Sequence, residues 1–438
     1  MKSFRSPATA QKKIIMKHLS ILVGMAAFAI SLRADCTLTS TGKIPLNELT
    51  VPYQGNQGGL YPNGANNRPA THLSAGMQIA NQIMPLNASG QVDNTNGKIV
   101  MVSVGMSNTT MEWAIGDRVT HDFTKAFKYD ATNDPALNPQ VVIIDCAQAD
   151  RDVVKWSNLG DSSWATAIRR VTNTIVDGQH ITPNQVQIAW VKLALRGAPA
   201  YGPFPTHVRQ FQNYLEMTIR NIKTAFPNVK MAFVSTRARS YSDSMSNINP
   251  EPYAYETGFG VKWMIQRQII GDPSLRFSGA NAVAPYLCWG PYFWIDGQNR
   301  RSDGAIWNCN DLITDFTHPS SSGVFKVSSQ LLAFFKTDPT ATPWYLRKTV
   351  VGQRPTVTLN GPTTITAGTS VQFTALANDP DGQIREIVWS FDDGDYIWST
   401  NNSSPLKTFF VPGAYTIRVT VTDNNGNTAT GTLTTAVH

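Results

Sequence analysis

The hydrophobic period of this chain changes once, near Val350, and that change limits the folds open to it. Upstream, short apolar runs at 100–104, 141–144, 187–191 and 230–234 alternate with segments of helical spacing. The runs are rich in β-branched residues, as strands buried on both faces must be. Over 207–226, Val208, Phe211, Leu215, Ile219 and Ile222 recur every three or four residues, so one face is apolar. Pro227 and Asn228 end that pattern. Further helices are predicted over 255–270 and 324–335. Strands alternating with helices predict a doubly wound parallel sheet, an α/β domain spanning 35–350.

After Val351 the period drops to two. Runs at 356–359, 370–377, 384–391 and 415–422 alternate apolar and polar residues. Turn clusters separate them: Asp379-Pro380-Asp381-Gly382, Asp392-Asp393-Gly394 and Asp423-Asn424-Asn425-Gly426. Short strands without helical segments predict a small all-β sandwich over 351–438. The carboxylates of Asp379, Asp381, Asp392 and Asp393 read first as turn residues, with a calcium site as the minor alternative.

The first 34 residues are set apart from both domains. Lys12, Lys13 and Lys17 precede an apolar run over 19–32, and Ala34 offers a small residue for cleavage. That is the pattern of an export signal, with Met16 as an alternative start, and it predicts a secreted or periplasmic protein without a stable membrane anchor. The same segment explains the charge. Of 37 basic and 30 acidic residues, a net of +7, six basic and no acidic ones lie in 1–34. The remainder carries 31 against 30, and a polyanionic partner such as nucleic acid is not expected. Four cysteines are too few for a disulfide scaffold. Cys288 and Cys309 are the pair expected to join in an oxidising compartment, and Cys146 is read as a buried thiol.

Two loops carry candidate chemistry. The first strand runs into Gly105-Met106-Ser107-Asn108, followed by Thr109, Thr110 and Glu112 opening a helix. A glycine turn after a buried strand lifts the Ser107 hydroxyl from the sheet edge, beside amides that favour developing negative charge. The bland reading of Ser107 is a helix cap. The second loop, Asp315-Phe316-Thr317-His318, precedes the last helix. A carboxylate three residues before an imidazole can fix its tautomer and leave the other ring nitrogen for a nucleophile. No metal-ligand spacing accompanies either loop.

The tail resembles a PKD domain, an immunoglobulin-like module, on 379–382 (DPDG), 387–394 (IVWSFDDG), 412–416 (PGAYT) and 419–423 (VTVTD). Such modules are usually spacers or binding accessories. Serine after the first strand and Asp-x-x-His before the last helix together resemble the layout of SGNH (GDSL-type) hydrolases. The segments 58–64 (GGLYPNG), 103–110 (SVGMSNTT), 249–256 (NPEPYAYE) and 289–294 (WGPYFW) look like a secreted bacterial branch of that superfamily, over roughly 46–344. The resemblance implies a flavodoxin-like sheet, with Ser107 as nucleophile, His318 as general base and Asp315 orienting the imidazole. It also implies an ester substrate and no cofactor.

Three positions depart from the superfamily pattern. Met106 stands where an aspartate is usual, and the literal Gly-Asp-Ser at 160–162 follows no buried strand. Cys146-Ala147-Gln148-Ala149-Asp150 replaces a glycine block, and Trp190-Val191-Lys192-Leu193 replaces a Gly-x-Asn block. The remaining oxyanion or substrate contacts are Asn108, Gln148, Ala149, Lys192 and Arg237. Lys192 reads equally as a strand-end lysine, and Arg237 as a partner for an acid or for an anionic substrate group. Trp289, Tyr292, Phe293, Trp294 and Trp307 form an aromatic region that stacks on sugar or packs in the core. These readings point to an exported esterase, with an acyl or acetyl ester on a polysaccharide as the expected substrate. The rival is a non-catalytic surface or glycan-binding protein on the same fold.

Overall fold

A computed structural model describes residues 36–242 and 248–438, so the expected export signal lies outside the described residues. Five strands form a parallel sheet: β1 (Ile99–Gly105), β2 (Val141–Ile144), β3 (Val186–Lys192), β4 (Met231–Val234) and β5 (Tyr286–Trp289). Their order is β2-β1-β3-β4-β5. The four predicted strands are present within a residue or so of each end. The short aromatic strand β5 was not expected.

Successive side chains of β1 divide between the two faces, as a strand's period of two requires. Val100, Val102 and Val104 join a cluster with Val208, Phe211 and Phe259 from helices Thr206–Ala225 and Tyr253–Ile269. Ile99 and Met101 join another with Leu331, Phe334 and Phe335 from helix Ser321–Thr337. Helices therefore cover both faces. Full burial of each such side chain contributes about 1.5–3 kcal/mol, which fixes the strand ends on which loops are built.

The tail is an all-β sandwich with its own core of Phe373, Trp389, Phe391, Tyr415 and Ile417. Its strands are β6 (Thr356–Asn360), β7 (Thr364–Ile365), β8 (Ser370–Gln372), β9 (Thr374–Asn378), β10 (Ile384–Ser390), β11 (Tyr396–Ser399), β12 (Leu406–Thr408), β13 (Gly413–Asp423) and β14 (Thr428–Val437). The main sheet has the order β11-β10-β13-β14-β7. The β13–β14 turn needs Gly426, whose φ is 84° and whose added Cβ would meet the Pro135 carbonyl at 2.4 Å.

That approach to Pro135 belongs to a broad junction, so the tail here is docked and is no free spacer. The described residues of both domains fall in one compact unit. Val388 and Tyr396 join the apolar cluster of the 321–337 helix. Lys336, fully buried, bonds Asp134 at 2.6 Å and also Glu386 of β10. Arg301 reaches Asp395 at 3.0 Å, and Lys407, paired within the tail with Asp393 and Asp395 at 2.6 and 2.5 Å, donates across the junction to Ser302 Oγ at 2.7 Å. The turn carboxylates thus bond within the protein: Asp381 accepts from the Gln353 N–H and Asp392 from the Thr416 N–H.

The disulfide joins Cys36 to Cys309, and the expected Cys288–Cys309 pairing is corrected. Cys288 lies inside β5 as a buried free thiol, and Cys309 opens a turn at the edge of the domain. Arg239 donates to the carbonyls of Leu38 and Thr39, and Asp296 accepts from Ser40 and Thr41. Those bonds bring Cys36 to Cys309. Cys146 is buried, as read from the sequence.

Candidate active site

The sheet order reverses between β1 and β3, one leading outward to β2 and the other to β4. Crevices in such sheets open at the carboxyl ends of the strands on either side of that reversal. Ser107 emerges there. Gly105 closes β1, where a Cβ would meet the Lys192 carbonyl at 2.5 Å and Thr109 Oγ1 at 2.2 Å. Met106 precedes a short helix, Ser107–Thr110, that continues as a wide turn over Met111–Ile115. Thr109 Oγ1 donates to the Lys192 carbonyl at 2.7 Å, pinning this helix to the end of β3.

His318 reaches the serine from a turn that its own acid builds. Asp315 Oδ1 accepts the N–H groups of Thr317 and His318 at 3.1 and 2.9 Å. Asp315 Oδ2 lies 2.5 Å from His318 Nδ1, and His318 Nε2 lies 2.6 Å from Ser107 Oγ. With Nδ1–H donated to the carboxylate, Nε2 accepts the serine proton. Partial burial pushes the Asp315 carboxyl up. The bonds from the His318 ring and the two N–H groups outweigh it and hold that carboxyl below its ordinary 3.8. Ser107 and His318 are both 5% exposed.

The other candidates hold this geometry or serve elsewhere. Asn108 Nδ2 donates to the Thr317 carbonyl at 2.8 Å, so the residue after the serine grips the residue before the histidine. Arg237 donates to the same carbonyl at 3.3 Å, is 4% exposed and, among the described residues, has no acceptor for its Nε. Lys192 forms a buried pair with Glu112, with both side chains 1% exposed. Burial pushes the Lys192 amine down and the Glu112 carboxyl up, in each case against the pull of the partner. Gln148 Nε2 donates to the carbonyls of Cys146 and Ser163 at 3.1 and 2.9 Å. The Lys192 ammonium and the Gln148 amide are therefore committed within the protein, which corrects their reading as oxyanion donors. Ala149 borders a groove at the carboxyl end of β2.

The literal Gly-Asp-Ser caps a helix. Asp161 accepts from the Ser163 N–H at 2.9 Å at the start of Ser162–Thr172, and Ser162 is exposed. Trp289, Tyr292, Phe293, Trp294 and Trp307 are each no more than 3% exposed, so none offers a face to a sugar. Their polar atoms tie loops together instead. Trp289 Nε1 donates to the Leu60 carbonyl at 2.7 Å and Trp294 Nε1 to Glu251 at 2.9 Å. Glu256 accepts from the Tyr53 hydroxyl at 2.7 Å and faces His207 at 2.8 Å.

Sequence reasoning missed Asp145. Its carboxylate accepts from Ser103 Oγ at 2.6 Å and from Thr110 Oγ1, joining the ends of β1 and β2 beneath the serine helix. An acid just after an apolar strand was the available signal. Burial raises its carboxyl above the ordinary value against those bonds.

The PKD domain family matches residues 352–437, and this C-terminal segment is a PKD domain. Solved structures similar to the chain include the PKD1 domain of Vibrio anguillarum Epp, at 31% identity over 20% of this chain and 98% of that one, with a TM-score of 0.18. The PKD1 domain of the Vibrio cholerae metalloprotease PrtV is 26% identical over 19% of this chain and 98% of that one, with a TM-score of 0.17. No curated protein matches the chain.

Proposed function

We propose that this chain is an exported serine hydrolase of SGNH type that cleaves esters, with an acyl or acetyl group on a polysaccharide as the substrate class. One observation carries the reading: a continuous chain from Ser107 Oγ through His318 to Asp315, with contacts of 2.6 and 2.5 Å. The strand order β2-β1-β3-β4-β5 supports it, being that of flavodoxin-like sheets. Ser107 Oγ attacks the ester carbonyl carbon as its proton passes to His318 Nε2. The carbonyl–alkoxide bond then breaks, and Nε2 returns that proton to the leaving alcohol. Water, deprotonated by the same nitrogen, attacks the acyl-enzyme and releases the acid and free Ser107. The backbone N–H groups of Ser107 and Ala149 are the donors assigned to the oxyanion, and Asn108 positions the histidine loop. No metal or organic cofactor takes part in this scheme.

The commitment of Gln148 and Lys192 within the protein favours a second reading, a non-catalytic glycan-binding protein on the same fold. Hydrolysis of a panel of p-nitrophenyl and acetylated-sugar esters separates the two. The proposal expects turnover that Ser107→Ala and His318→Ala each reduce by about 10⁴-fold or more. Absence of turnover on every ester favours the binding protein. Amino-terminal sequencing of the exported protein tests the localisation, with cleavage expected near Ala34.

A further inference from the structure

A groove of about 780 Å³ opens at the carboxyl end of the edge strand β2, where Ile144, Asp145, Ala147 and Ala149 line it. Its near end is bordered by Thr110, one helical turn beyond Ser107 and on the same helix face, and by Ala149. That end is rigid because Thr110 is bonded to Asp145. Ligand clefts span about 300–1,000 Å³ and combine apolar walls with a few placed polar groups.

The walls differ in chemistry. Phe123 and Tyr129 are 53% and 39% exposed, and their rings meet edge-on at 5.6 Å between centroids. Asn173 lines the groove as well and offers a side-chain amide, and Thr174, whose hydroxyl donates to the Arg170 carbonyl at 2.8 Å, offers an acceptor oxygen. An alkyl chain seated here would strip water from that polar wall and return no hydrogen bond. An anionic polymer would meet little positive charge, because Arg170 already donates to the carbonyls of Asp145 and Ala147 at 3.1 and 2.7 Å, and Lys128 is the one other cation in a lining that also holds the Asp145 carboxylate. A pyranose ring fits both walls, having one apolar face and a rim of hydroxyls.

We infer that this groove is a glycan subsite, seating the sugars next to the esterified one on Tyr129 and Phe123 while the ester lies at Ser107. The inference rests on the ester-hydrolase reading for its purpose, but its binding test does not require turnover. The Ser107→Ala protein is titrated calorimetrically with chemically acetylated gluco-, xylo- and manno-oligosaccharides, alone and combined with Phe123→Ala or Tyr129→Ala. Binding of at least one series, weakened about tenfold or more by either ring removal, is expected. With Ser107 intact, the same ring variants are expected to lower kcat/KM on that acetylated oligosaccharide by a similar factor. On p-nitrophenyl acetate they are expected to stay within about twofold of the parent. Binding to none of the series, or binding indifferent to both rings, overturns the subsite. So does a changed preference among p-nitrophenyl acetate, butyrate and octanoate on Phe123→Ala, which identifies an alkyl pocket. Ring-dependent binding without turnover of any ester leaves the subsite standing and removes the hydrolase.

Discussion

Asn108 Nδ2 donates to the carbonyl of Thr317 across 2.8 Å, joining residues that are 209 positions apart in sequence. The bond sets the distance between the serine helix and the histidine turn, because its partners adjoin Ser107 and His318, which are themselves in contact. Asn108→Ala is therefore expected to lower kcat by about 10–100-fold with little change in KM, the pattern of lost positioning. Asn108→Asp, which puts a second carboxylate near the turn, is expected to do no better. Steady-state kinetics on a small acyl ester check this. An unaltered kcat in Asn108→Ala means that Asp315 and Arg237 hold the turn without it.

The Lys192–Glu112 pair makes an opposite prediction about stability. Lys192→Met leaves the Glu112 carboxylate buried without a partner and is expected to cost about 3–5 kcal/mol. Replacing both residues, as Lys192→Met with Glu112→Leu, is expected to restore most of the loss. Urea unfolding of the three proteins decides it. A stable single variant would mean that Glu112 reaches water.

At the junction with the PKD domain, Lys336 lies between Asp134 and Glu386. Lys336→Met is expected to destabilise the protein by about 3–5 kcal/mol. The α/β domain and the tail are expected to unfold in one calorimetric transition, since both use this cation. Two well-separated transitions in the parent protein would show that the junction contributes little.

His72 gives the stability a pH dependence of known sign. It is 5% exposed and its Nε2 lies 2.8 Å from the Leu287 carbonyl. Burial lowers its pKa from 6.5 to about 4, despite that bond. Below 6.5 the unfolded chain takes up a proton that the folded protein refuses, so stability falls with pH until both are charged near 4. The loss amounts to about 3 kcal/mol. His72→Gln, which keeps a donor for Leu287, is expected to flatten that part of the profile in denaturation curves between pH 4 and 7. A profile with the same slope assigns the loss to other groups.

Much of this architecture is legible in the chain because burial and period are local signals. Val100, Val102 and Val104 announce a buried strand, and Val208 to Ile222 announce a helix with one apolar face. Ser107, His318 and Asp315 were readable because a strand–turn–helix and an Asp-x-x-His turn are each short in sequence. What escaped depended on partners far along the chain. Lys192 is compensated by Glu112 and Cys309 by Cys36, and neither partner is marked by spacing. The aromatic segment 289–294 left two readings open for a related reason. Tryptophan and tyrosine suit both a sugar face and a core, and only the carbonyl of Leu60 and the carboxylate of Glu251 show which one applies. The docking of the PKD domain through Lys336 and Arg301 was likewise invisible, since each charge looks solvated until its acid is known.

The proposed function turns on Ser107 as a nucleophile activated by His318. A fluorophosphonate reacts covalently only with a serine whose proton has somewhere to go, so it reports on this pair without knowledge of the substrate. After treatment of the parent protein, peptide mass spectrometry is expected to find one adduct, on Ser107, and none in the His318→Ala variant. An unlabelled Ser107 in the folded parent protein, or labelling that persists when His318 is removed, would contradict the account.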